Sequence, residues 1–233
     1  MIDFHSHILP GIDDGSENVE MSLRMVAALK EQGADTICAT SHFYATERTL
    51  DRFLFRREEA FGMLKSALPT DSPQILLGAE VLYFPGVSRM DNLSKLCLEG
   101  TNLLLLEMPF ERWTEYMIRE VMDLAHTGRF TLLLAHIERY YFQQPVSVWD
   151  SFLDNNILMQ ANASFFLPFL SRFKALKLLK QGRIHLLGSD AHNMDSRAPR
   201  MKKARTIIRN KTDEGTLDEL DELGRMILRK GHL

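Results

Sequence analysis

The sequence predicts an α/β protein built as a barrel of parallel strands, and three observations carry that expectation. Seven short apolar runs alternate with helical segments along the 233 residues. Each run is continuously apolar rather than alternating, as strands covered on both faces are. A polar or metal-competent residue follows every run, whereas an open sheet concentrates such residues beside one switch point.

The first strand spans 2–4 and runs into His5-Ser6-His7, then a turn-rich loop carrying Asp13-Asp14-Gly15. Residues i and i+2 of a strand project to one side, so His5 and His7 can grip one ion together. Ser16 or Asn18 can cap a helix over 19–32, which Gly33 ends. A strand at 36–39 leads to a loop at 41–44 containing His42. A charged helix at 50–67 is broken by Pro69 and Pro73, and the strand at 74–79 ends in Glu80. The stretch 83–100 reads as a loop with a short helix. The strand at 102–106 ends in Glu107, the helix at 113–127 stops at Gly128, and the strand at 130–135 ends in His136. A helix at 147–155 precedes a strand at 157–161 ending in Asn162. A helix at 168–181 precedes a strand at 184–188 leading to Asp190 and His192. Two terminal helices follow at 199–210 and 217–229, the second opened by a capping box from Thr216 to Glu219.

Composition narrows the function classes. The 45% apolar fraction supports a substantial core, and no linker or composition shift divides 1–233, so a single domain is expected. A net charge of −3 argues against a nucleic-acid partner. Cys38 and Cys97 lie in apolar surroundings and read as buried fillers, neither disulfide-bonded nor metal-bound. With Asp3 and the histidines following Met1 at once, no secretory leader is expected. No apolar run approaches the roughly 20 residues of a membrane span. The expected location is the cytoplasm.

Five of the eight histidines (His5, His7, His42, His136 and His192) fall within a few residues of a strand's C-terminal end, as do Glu80, Glu107, Asn162 and Asp190. Taken singly, each has a bland reading: Glu80 as a solvated strand end, His136 as a hydrogen-bonded core residue. Taken together they converge on the one mouth where a parallel barrel gathers its chemistry. The other histidines behave as controls, with His126 at a helix end, His185 at a strand start and His232 in the tail. A nitrogen and oxygen ligand set without thiolate suits Mn, Fe or Zn in a catalytic site. Two or three clustered divalent ions suit hydrolysis of a phosphate ester.

Three stretches carry a family resemblance. They are His5-Ser6-His7-Ile8-Leu9-Pro10-Gly11-Ile12-Asp13-Asp14-Gly15, Ala135-His136-Ile137-Glu138-Arg139-Tyr140 and Gly188-Ser189-Asp190-Ala191-His192-Asn193. They resemble the polymerase-and-histidinol-phosphatase (PHP) superfamily. Within it, the chain is most similar to the bacterial metal-dependent protein-tyrosine phosphatases encoded with capsule and exopolysaccharide genes. The resemblance implies a distorted seven-stranded, TIM-barrel-like (β/α) barrel with a trinuclear, usually manganese, centre. It implies one ion held by His5, His7, Glu80 and Asp190, and a second by Glu80, Glu107 and His136, with Glu80 bridging. Asp14, His42 and His192 would hold the third. Arg139 and Arg197 match the family's phosphate-binding arginines, and the implied partner is an autophosphorylating tyrosine kinase. The chain departs from the pattern at Ser41-His42-Phe43, at Ile137 and over 81–86, without losing a matched ligand.

Other features keep two readings. Guanidinium groups suit phosphate oxygens, but Arg197 also fits a cap and a salt bridge at the next helix. Of the aromatics after the strand ends, most would plug the barrel top and a minority flank a phenyl ring. Arg48, Arg52 and Arg56 read as a solvated stripe with Asp51 and Glu59 as partners, or as a guide for an acidic phosphopeptide. Asp13 reads as a turn residue and Asn162 as a group that orients a ligand. The activity expected is hydrolysis of protein phosphotyrosine; the rivals are a histidinol-phosphate type of small-molecule phosphatase and an inactive metal-binding adaptor.

Overall fold

The computed structural model describes residues 1–230, so His232 lies outside the described residues. In chain order the elements are β1 (Ile2–Ser6), α1 (Val19–Glu31), β2 (Thr36–Ala39), β3 (His42–Phe43), α2 (Leu50–Ala67), β4 (Gln74–Leu77), β5 (Glu80–Leu82) and β6 (Leu103–Glu107). Then come α3 (Glu115–His126), β7 (Thr131–Leu134), α4 (Val146–Asp154), β8 (Leu158–Asn162), α5 (Phe169–Lys180), β9 (Leu186–Gly188), α6 (Met201–Lys211) and α7 (Thr216–Lys230). The stretch 83–100 holds two 3₁₀ turns, Val87–Arg89 and Leu93–Leu96.

Every paired strand is parallel, and the pairs form a curled sheet in two ladders, β1-β2-β4 and β3-β5-β6-β7-β8-β9. The α/β class and the parallel pairing are as expected, but the seven strands expected of a distorted barrel are divided here into nine. Two strand positions are broken, at 40–41 and at 78–79. There the Gly78 amide bonds the Ala39 carbonyl at 2.9 Å, while the Glu80 amide is shared between the Thr40 and Ser41 carbonyls at 3.1 Å each. Pairing slips out of step, and the chain re-enters in the other ladder. Buried Arg57 of α2 fastens the break by donating to the Gly78 and Lys95 carbonyls at 3.2 and 3.3 Å. The slip sets His42 directly opposite Glu80 in the β3–β5 register.

The last strand returns to the first. Ser6 forms a parallel bridge with Ala191, the Asp190 amide donates to the His5 carbonyl at 2.8 Å, and the Ser189 amide donates to Asp3 Oδ1 at 2.7 Å. Glycine is required where the strands pass so closely. A Cβ on Gly188 would fall 2.5 Å from the His5 Cβ and 2.7 Å from Gln160 Nε2.

Strand alternation sorts polar from apolar along the strands. Leu103 and Leu105 precede Glu107 on one side of β6, and Leu158 precedes Gln160 and Asn162 on one side of β8. The leucines join Cys38, Leu133, Leu186 and Ile227 of α7 in one apolar cluster, and a larger cluster packs the helices on the sheet. Both cysteines are buried and unpaired.

Helix starts follow the sequence signals with one exception. Asn18, not Ser16, caps α1 by accepting the Met21 amide, and Thr49 and Thr114 cap α2 and α3. The capping box expected at Thr216 does not form. Thr216 is already the first residue of α7, one position too far into the helix for its side chain to cap it. Arg48 precedes α2, and the expected stripe is anchored to the opening loop instead: Arg48 donates to the Ile12 carbonyl at 3.1 Å and Arg56 to the Gly11 carbonyl at 2.6 Å.

Candidate metal centre

The eight other side chains expected to hold metal gather around Glu80. His5, Glu107, His136 and Asp190 lie at or just past the ends of β1, β6, β7 and β9, and His7, Asp14 and His192 lie in the loops beyond. His42 and Glu80 open β3 and β5 after the strand breaks. The Glu80 carboxylate has no solvent exposure. Oε2 lies 3.1 Å from His5 Nε2, 3.2 Å from His7 Nε2 and 3.0 Å from His42 Nδ1. Oε1 lies 2.7 Å from His136 Nε2, which also reaches Glu107 Oε1 at 3.2 Å. Asp190 Oδ1 stands 3.6 Å from the Nε2 atoms of both His5 and His7. At the solvent side, Asp14 Oδ1 approaches His42 Nε2 at 3.3 Å and His192 Nε2 at 3.4 Å.

The donor set fits divalent ions. Three groupings place one ligand atom each within 4.8 Å of the rest: His7, Asp14, His42 and His192; His5, His7 and Asp190; His42, Glu80 and Glu107. Several buried atoms that point into this space lack a hydrogen-bond partner within the protein, among them Glu80 Oε2, His42 Nδ1 and His192 Nε2. An unpaired buried polar atom is costly, and a cation in this space would satisfy all three.

Electrostatics tell the same story. Burial opposes ionisation of Glu80, yet His5 and His136 outweigh it and hold the carboxyl well below its usual range. Burial also disfavours a proton on His7, but Asp13 and Glu80 raise it to about 10. His136 is likewise raised to about 10 against its burial, by Glu80 and Glu107. His192, desolvated and beside His7, is pushed down to about 3. The carboxylates thus favour positive charge on the imidazoles around them, charge that a divalent ion would bring in place of protons.

A surrounding layer aims the imidazoles. Asp13, expected only as a turn residue, accepts from Gly15 but also holds His7 Nδ1 at 2.8 Å and the His42 amide at 2.9 Å. Gln160, which sequence reasoning missed, meets His5 Nδ1 at 3.1 Å and accepts the His136 amide at 2.7 Å. It passes its own amide to Asn162 Oδ1, and Asn162 Nδ2 donates to Asp190 Oδ2 at 2.8 Å, the orienting role expected of Asn162. His136 and Asp190 both have positive φ, at 29° and 50°. Such conformations are uncommon outside glycine, although Asp and His adopt them more readily than most, and they persist where surroundings enforce them.

Arg139 and Arg197 approach Asp190 from opposite loops. Arg139 Nη2 bonds Oδ2 at 2.9 Å; Arg197 Nη2 bonds both oxygens at 2.9 Å, and its Nη1 lies 3.5 Å from Asp14. Arg197 thus stands at the site rather than at the cap of α6. Most of the aromatics near the strand ends are packing: Trp113, Tyr140, Tyr141 and Trp149 stack together beneath the loops. Two border the mouth. Tyr44 stacks on His42 at 5.0 Å, and exposed Phe110 meets His136 edge-on at 5.6 Å beneath the Arg139 guanidinium. The controls lie elsewhere: His126 bonds Asn155, and His185 accepts the Met159 amide.

Comparison with known proteins adds four findings. The profile of the family described as "Capsular polysaccharide synthesis, CpsB/CapC" matches residues 1–223. The chain is 30% identical to the tyrosine-protein phosphatase CpsB of Streptococcus pneumoniae over 91% of this chain and 90% of that one. It is 29% identical to the tyrosine-protein phosphatase YwqE of Bacillus subtilis, over 98% and 92%. A crystal structure from work on YwqE and S. pneumoniae CpsB, described as unique metal-dependent tyrosine phosphatases, superposes with a TM-score of 0.84 at 25% identity. That match covers 98% of this chain and 94% of the other.

The role of Asp13 is open to a direct check. Asp13→Ala should weaken metal binding by roughly 10–100-fold, as loss of a carboxylate behind a histidine ligand does. Calorimetric titration of the metal-stripped protein measures this. Unchanged affinity would restrict Asp13 to its turn.

Proposed function

The chain belongs to the CpsB/CapC capsular polysaccharide synthesis family, and from that premise we propose that it is a metal-dependent phosphatase hydrolysing phosphotyrosine in proteins. The observation that carries this reading is the gathering of eight histidine, aspartate and glutamate side chains about Glu80, with two guanidinium groups alongside. In this reading His5, His7, Glu80 and Asp190 would hold one ion, Glu80, Glu107 and His136 a second, and Asp14, His42 and His192 a third. Manganese is the preferred metal of this reading. Bound there, such ions would supply Lewis acidity to the phosphoryl oxygens and lower the pKa of water toward neutrality.

The protein's own groups then divide the remaining work. Arg139 and Arg197 are fixed through Asp190, and their other N–H groups are available to phosphoryl oxygens as charge develops. Asp13, Gln160 and Asn162 keep the imidazoles and Asp190 in one orientation, so little reorganisation accompanies reaction. Tyr44 and Phe110 offer apolar faces to the phenyl ring of the substrate. A phenolic leaving group has a pKa of about 10, so it departs with less protonation than an alkoxide needs.

The wider reading has supports of the same kind. The bridge from Ser6 to Ala191 favours treating the two ladders as one distorted seven-position barrel. An apolar core reaching from Ile8 to Leu217 favours a single domain over 1–233. Two buried unpaired cysteines agree with a cytoplasmic location. The substrate of this reading is the phosphorylated tail of a tyrosine kinase that regulates capsule or exopolysaccharide assembly.

Substrate class is tested by kcat/KM. A phosphotyrosine peptide should be hydrolysed faster than a matched phosphoserine peptide, than histidinol phosphate, and than other aryl phosphates of similar leaving-group pKa. A preference for histidinol phosphate by an order of magnitude or more would install the metabolic reading instead. Arg139→Ala should reduce kcat/KM by roughly 10²–10³ while metal content stays normal. Loss of metal in that variant would make the arginine structural.

A further inference from the structure

Positive charge is concentrated in one quarter of the chain. Residues 155–212 carry twelve lysines and arginines against Asp190 and Asp195 alone, in a protein whose net charge is −3. This segment builds α5 and α6, both of which pack against the short helix Ala163–Phe166. Helix α5 follows β8 and α6 follows β9, so both helices begin at the strand ends that carry the metal centre.

The start of α5 is apolar and uncovered. Phe169, Leu170 and Phe173 are 67, 78 and 60% exposed, and the two phenyl rings meet edge-on at 4.9 Å. Phe142, three residues after Arg139, is also exposed and lies 4.5 Å from the Lys174 ammonium. On the other flank, a groove of about 580 Å³ is lined by Leu167 and Ile207 together with Arg172, Arg200, Lys202 and Lys203. Among the described residues, Lys174, Arg200, Lys202 and Lys203 form no ion pair, whereas Arg183 and Arg205 are matched by Asp150 and Asp221.

We propose that this surface docks on an anionic lipid bilayer. Phe169, Leu170 and Phe173 enter the boundary between headgroups and acyl chains, and the cations of α5 and α6 meet the headgroups. Exposed phenyl and leucyl groups flanked by lysines are the composition that lies in a membrane interface, the stems of the lysines following the apolar side chains while their ammonium groups stay at the headgroups. The charge selects anionic lipid. An acidic peptide would satisfy the cations but leave three large apolar side chains in water. No described helix is long and apolar enough to cross a membrane, so the contact is made from one side. Because the surface adjoins both Arg139 and Arg197 in the chain, docking would bring the mouth of the metal centre close to the bilayer, where a membrane-tethered substrate is concentrated. The proposal does not depend on which phosphate ester is hydrolysed.

Co-sedimentation of the metal-loaded protein with vesicles tests it. Binding should appear with vesicles containing roughly a third phosphatidylglycerol, be absent with phosphatidylcholine alone, and weaken as salt shortens the screening length. The triple variant Phe169→Ser, Leu170→Ser, Phe173→Ser should lower partitioning at least ~10-fold. Lys202→Glu with Lys203→Glu should do the same, and both variants should keep the parent's turnover of a soluble aryl phosphate. The proposal is overturned if the protein ignores anionic vesicles, or if both variants bind them as the parent does. It is equally overturned if the surface binds poly-glutamate but no vesicle, or if it only mediates self-association that the triple variant abolishes.

Discussion

One carboxylate with no access to water organises this protein. Glu80 is surrounded by four imidazoles, and an ionised carboxylate so placed costs several kcal/mol unless compensated. Compensation must come from cations held within about 3 Å, and that requirement reaches deep into the fold. The breaks at 40–41 and 78–79 disrupt two otherwise regular strands but set His42 against Glu80. Gly188 permits β9 to pass over His5 so that Asp190 arrives on the far side. The left-handed backbone at His136 and Asp190 is the local cost of aiming both side chains inward.

The same constraint explains the chain of hydrogen bonds behind the imidazoles. Gln160 links His5, His136 and Asn162, and Asn162 in turn holds Asp190. Such a chain has few alternative arrangements, and a site with fixed donors stabilises developing charge without reorganising first. Below it the strand interiors revert to leucine, which keeps water from reaching the carboxylates from beneath. The candidate site is therefore confined to one end of the sheet, and the exposed aromatics that open α5 and Lys202 and Lys203 of α6 follow strands that end there.

Much of this was legible in the residue order. Buried parallel strands write themselves as continuous apolar runs, and all seven runs became strands, with boundaries displaced by at most two residues. Eight of the nine candidate ligands were visible because each follows such a run, while Asp14 was indicated by the family resemblance alone. What stayed hidden depends on contacts distant in sequence. Asp13 looks like an ordinary turn residue until His7 and His42 are folded over it, and Gln160 sits inside a strand where nothing marks it. Arg48 and Arg56 read as solvated because their partners, the carbonyls of Ile12 and Gly11, lie 36 and 45 residues away. The strand breaks carry no proline to announce them. At Thr216 the local signal was genuine in composition but displaced by one residue in register.

Glu80→Gln tests the central claim most directly. The substitution preserves shape and removes the charge on which the four imidazoles converge. Elemental analysis of parent and variant, purified alike without chelator, should find about two to three divalent ions per chain in the parent and a loss of more than one in the variant, with circular dichroism unchanged. A variant that keeps its full metal complement would contradict the account, as would the loss of a single ion only, because neither outcome is compatible with Glu80 joining the groups into one centre.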